Sequence, residues 1–99
     1  MALTLESEQR LARVNLIGVF KGSPARWKGL AKQAYNFVKK NFPAGGPVRP
    51  DDVAKVLIPL LEVEATLINY LSANKLKQRY WIRDFCDLIL DREWDQISA

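Results

Sequence analysis

The chain has 99 residues, 48% hydrophobic and 26% charged, enough for one domain but too few for two independent cores. Those fractions exclude a disordered, collagen-like or low-complexity chain. With a net charge of +4, no histidine and a single cysteine, it also lacks the usual base of a nucleophilic triad and most metal-ligand sets.

The amino terminus carries Glu6 and Glu8 where a signal peptide would be basic, and the apolar run Val14–Phe20 is interrupted by Asn15 and Gly18. No stretch of about 18 apolar residues occurs, so no membrane-spanning helix is expected. Cys86 sits in an apolar segment, which points to a buried thiol and a reducing, cytoplasmic setting. Charge is divided unevenly. Residues 1–50 hold nine basic and two acidic groups, a net of +7, and residues 51–99 hold six and nine, a net of −3. Such a chain can bind an anionic partner through one face or neutralise itself within the fold.

The first helix is predicted to begin near Thr4 or Ser7 and run to about Phe20, with Ala12, Leu16, Val19 and Phe20 on one side. Leu16–Phe20 also reads as a short strand, and Gly22 supplies a stop. Ser23-Pro24 is the clearest helix start, with a hydroxyl cap and a proline at the first helical position. From there Trp27, Leu30, Ala31, Ala34, Phe37 and Val38 keep helical spacing to about Asn41. Three prolines and two glycines between Pro43 and Pro50 make a loop and a candidate hinge between the halves.

Helix restarts at Pro50-Asp51-Asp52, acids beside the positive end of its dipole. Val53, Val56, Leu57, Leu60, Leu61, Leu67, Ile68 and Leu71 form an apolar stripe. Pro59 lies within it and predicts a kink or break near Ile58. After a turn at Ser72-Ala73-Asn74, the last helix is predicted from Asn74 or Lys75 to about Trp94. Its residues Trp81, Ile82, Phe85, Cys86, Leu88, Ile89 and Leu90 cover an arc of roughly 200°, about twice what a surface helix needs. That helix is therefore central, or its excess is buried against another chain. The expected fold is all-α: one compact domain of four or five helices over residues 1–99, with the carboxy-terminal helix central.

Several groupings carry chemistry. Lys28, Lys32, Tyr35 and Lys39 share one face of the second helix, with Arg26 and Lys40 farther round, a pattern suited to phosphate contact and base stacking. The bland alternative is a solvated face whose lysine stems cover apolar surface. Residues 60–83 also read as a helix-turn-helix with Lys75, Lys77, Arg79 and Arg83 on the second helix. That arrangement ranks lower, because the turn lacks glycine and the helix becomes apolar after Tyr80 and acidic after Arg83. Asp84, Asp87, Asp91 and Asp95 recur at 3, 4 and 4, a solvated line or a match for a basic surface rather than a metal site. Glu64 falls within the apolar stripe, so it is paired with Arg10 or Arg13, protonated, turned outward by the break at Pro59, or a functional carboxylate such as a docking anchor. Trp94 is the leading candidate interface anchor, with Tyr80 and Tyr70 behind it and Trp81 on an edge of the apolar arc, whereas Trp27 belongs to the core.

The expected function is non-catalytic protein–protein association, as a homodimer or by docking a partner, through surplus apolar surface flanked by charge lines. Trp94, Tyr80, Trp81, Glu64, Asp84, Asp87 and Asp91 are its candidate partner-binding residues. The alternative is DNA or RNA binding through Arg26, Lys28, Lys32, Tyr35, Lys39 and Lys40. No cofactor, metal, membrane or small-molecule substrate is expected.

Overall fold

Apolar residues recurring at three and four produce helices throughout. The computed structural model describes residues 5–41 and 46–99, with side chains from Arg13 onward in those ranges. The elements are α1 (Leu5–Gly22), α2 (Pro24–Asn41), α3 (Pro50–Glu62), α4 (Ala65–Ala73) and α5 (Gln78–Ile97). Among the described residues there is no strand, so Leu16–Phe20 is helical. Thr4, the Arg10 and Ala12 side chains and residues 43–45 of the loop lie outside the described set.

Helix α2 starts at Pro24 as expected, and the bonds at its start run to the Ser23 carbonyl, which accepts from the amides of Arg26 (3.1 Å) and Trp27 (3.4 Å), rather than to the Ser23 hydroxyl. One residue therefore joins α1 to α2. Trp27 fills the corner, donating its indole N–H to the Val19 carbonyl at 3.3 Å. The start of α2 stands beside the end of α3 through Arg26 and Glu64. Its end meets the start of α3, where Val38, Asp52 and Val56 surround one cavity. The two helices are thus antiparallel, and α5 runs antiparallel to α3 in the same way: Leu90 and Trp94 lie by Pro50, and Ile82 by Ile58.

The last helix is the centre of the domain. Trp81, Ile82, Phe85, Cys86, Leu88, Ile89, Leu90 and Ile97 are all buried within the one chain. Phe85 meets Trp27 edge-on at 4.9 Å, and Leu16, Phe20, Leu57, Leu61, Leu67 and Leu71 close the core around it. The premise of a surplus apolar face on this helix is therefore corrected. Its wide arc is enclosed by neighbouring helices of the same chain.

Three local expectations are also corrected. Pro59 does not break α3, which continues to Glu62; the chain turns by 73° between α3 and α4, at Val63-Glu64. Pro59 faces solvent, while Leu57 and Leu61 are fully buried and anchor the helix on its other side. The last helix begins at Gln78 rather than at Asn74 or Lys75, and it ends at Ile97 rather than Trp94. Phe37, expected in the core spacing of α2, is half exposed. No single helix among the described residues is long and apolar enough to cross a membrane.

Candidate functional site

The groove between the start of α3 and the last turns of α5 is lined by Pro50, Asp51, Ala54, Asp87, Leu90, Asp91, Trp94 and Asp95. Proline at the first position and Asp51 and Asp52 in the first turn give α3 a favourable start and set Asp51 on the rim. The small Ala54 lets α5 pack closely. On α5, Asp87, Asp91 and Asp95 follow at intervals of four, so they form one row along the other rim. All four carboxylates are exposed, while Leu90 is buried and Trp94 partly buried between them. Among the lining residues no basic group answers the four acids.

The Trp94 wall is braced from behind by α2. Tyr35 meets Trp94 edge-on at 5.9 Å and donates a long hydroxyl bond to the Ser98 carbonyl at 3.5 Å. The Lys32 ammonium lies 5.3 Å from the Tyr35 ring centre and donates to the carbonyls of Ile97 (2.7 Å) and Ala99 (3.1 Å). Lys28 donates to the Gln96 side chain at 2.8 Å. A cation here answers the negative end of the α5 dipole. The basic face of α2 thus holds the end of α5, and of its four leading residues only Lys39 stands fully exposed.

The expected partner-binding residues are split between places. Asp87, Asp91 and Trp94 come together in the groove. Asp84 is partly buried on another side of α5, 4.0 Å from Arg13 of α1. Glu64 is paired with Arg26 at 2.9 Å, while Arg13 lies by Asp84 and the Arg10 side chain is outside the described residues; Arg26 also donates to the Thr66 hydroxyl at 2.7 Å. Tyr80 is half exposed near the opposite end of α5, its ring against Trp81 at 4.9 Å. Trp81 itself is buried, which removes it from the contact surface. Asp51 and Asp95 belong to the groove but were not among the expected site residues. Asp51 read as a helix-start acid and Asp95 as the tail of an acidic line, and only the packing of α3 on α5 joins them.

Burial pushes the Cys86 thiol up to about 12, with the Asp87 carboxylate adding to the rise and Arg83 partly opposing it. Such a thiol is unreactive near neutral pH. Among the described residues no group of three or more acidic or cysteine side chains is placed to hold a metal ion. No family model matches the chain, and neither does any curated protein or solved structure.

Proposed function

We propose that the domain is a non-catalytic docking module whose α3–α5 groove takes a basic, amphipathic segment of a protein partner. The observation that carries this reading is the groove itself. Four carboxylates surround an indole face and an aliphatic floor, with no cation among the lining residues. Lysine or arginine side chains of a partner would meet the two acidic rims, and an apolar side chain would lie on Trp94. Steering by the acids would speed encounter, while the buried contact at Trp94 would set the lifetime of the complex. The inert, deeply buried thiol accords with an intracellular setting and a binding role.

Self-association through the apolar arc of α5 is not part of this proposal, because that arc is internal. Nor is nucleic-acid binding by α2, since Arg26, Lys28, Lys32 and Tyr35 already bond within the chain.

Trp27 and Trp81 are buried, so a change in tryptophan emission on adding ligand reports chiefly on Trp94. Titration with a synthetic helical peptide of lysine and leucine should shift that emission. Scrambling the peptide's order should weaken binding at least about tenfold, because the acids alone then act on it. The double variant Asp87→Lys/Asp91→Lys should bind neither peptide measurably. Equal affinity for both peptides, or an unchanged affinity in the variant, would defeat the proposal. Light scattering without peptide should give 11.3 kDa, and a species of twice that mass would put a second copy on the groove instead.

A further inference from the structure

The two ends of α5 are opposite in charge. From Ala65 through Arg83 the chain carries Lys75, Lys77, Arg79 and Arg83 and no carboxylate. All four cations are exposed, as are Gln78 and Asn74. Tyr80, 53% exposed, stands among them, its ring held edge-on by Trp81. The residues that make this helix look apolar, Trp81, Ile82 and Phe85, all point into the core. What faces water over the first two turns is therefore basic and polar. Of the nearby acids, Glu62 shares a cleft with Arg79 and Arg83, and Asp84 is turned toward Arg13.

The backbone here has the form of two helices joined by a tight turn. The nine-residue α4 ends in a Schellman motif, with Leu76 N–H bonding the Leu71 carbonyl at 2.9 Å and Lys75 N–H the Ser72 carbonyl at 3.1 Å. Lys75 takes the left-handed conformation, φ 56°, that glycine ordinarily supplies at this place. The turn thus forms with lysine, without the glycine usual in a helix-turn-helix. Holding a lysine in a strained backbone position adds a cation to the surface at a cost to the fold. Lys77 likewise occupies the cap position of α5 without making a side-chain cap bond, and no acid stands in the first turn. Both choices disfavour the helix locally and favour an anion in front of it.

We propose that α4, its turn and the first two turns of α5 bind duplex DNA. Lys75, Lys77, Arg79 and Arg83, all exposed, contact phosphates, and the first two turns of α5, about 11 Å long, lie along the major groove with Gln78 at its edge. This surface is separate from the α3–α5 groove and stands whether or not that groove binds a protein.

The test is fluorescence anisotropy with a labelled duplex of about two helical turns across a salt series. Four phosphate contacts give a log–log salt slope of about −3.6, so affinity should fall about 150-fold between 50 and 200 mM salt. Lys77→Gln/Arg79→Gln should flatten the slope by about 1.8, while Lys21→Gln/Lys55→Gln leaves it unchanged. All four positions are exposed, and circular dichroism confirms that each variant folds. No binding by the unaltered protein at 50 mM salt would overturn the proposal. So would an unaltered slope in the Lys77/Arg79 variant, or a single strand of equal length binding more than tenfold tighter than the duplex.

Discussion

Cys86 and Tyr70 are the two groups whose ionisation the fold resists. Cys86 is fully enclosed between its neighbours, and its thiol is raised from 9.0 to about 12, chiefly by burial. Burial also raises the Tyr70 phenol; the Asn15 side chain offsets part of the rise without reaching hydrogen-bonding geometry. In the unfolded chain both groups ionise earlier, so alkali favours unfolding. The thiol's contribution is intact below pH 9 and is lost as pH rises from 9 toward 12. The unfolding free energy from urea titrations should therefore decline above pH 9, by up to about 1.4 kcal/mol per pH unit for the one group. Cys86→Ala should start from a lower stability, yet decline less than the parent between pH 9 and 10, Tyr70 alone of the two groups remaining. An equal decline in the variant would mean that another group governs it. The buried thiol was legible in the sequence from its apolar neighbours. The Glu64 partner was not, because Arg26 lies 38 residues away and only the antiparallel seating of α2 on α3 brings them within 2.9 Å.

At the level of elements, the starts of α2 and α3 could be read directly, since proline and the residues beside it carry the signal locally. The breaks were harder. Pro59 removes one helical hydrogen bond, but it faces water on a helix held by Leu57 and Leu61, and tertiary packing outweighs the local penalty. Pro59→Ala should restore that bond and raise the unfolding free energy by about 1–3 kcal/mol in denaturant titration. A drop would mean that the proline shapes the bend toward α4. The start of α5 was misplaced because Lys75 carries no glycine signature, although its backbone behaves as a helix-ending glycine does. Lys75→Gly should relieve the left-handed strain and stabilise the domain by about 1 kcal/mol. The same change should weaken duplex binding, and a variant less stable than the parent would show that Lys75 is not strained.

For the whole molecule, the decisive arrangement is the distribution of charge along its central helix. Helices α2 and α3 follow the dipole rule, with Lys39 and Lys40 in the last turn of one and Asp51 and Asp52 in the first turn of the other. In α5 the order is reversed: Arg79 opens the helix, Asp95 lies in its last turn, and no acid begins it or base ends it. Part of the cost at its far end is met by Lys32, which donates to the terminal carbonyls. The remainder is left open, and both ends become attractive to outside charge, a cation in the groove and an anion at the turn. The individual charge lines were visible in the sequence. Which of them lay free was not, because α2's lysines and α5's aspartates were equally exposed on paper until packing joined the former to the end of α5. The all-helical fold with a central last helix was legible because an arc of roughly 200° must be covered from several sides.

The claim that α5 trades stability for binding at its ends is tested most directly by exchanging residues 77 and 95. The variant Lys77→Asp/Asp95→Lys keeps the net charge at +4. It gives α5 a capping aspartate at its start and a cation in its last turn, beside Asp51 and Asp91. Its unfolding free energy in urea should exceed that of the parent by about 1–2 kcal/mol. A variant equal to or less stable than the parent would show that these charges already serve the fold, and would contradict the account.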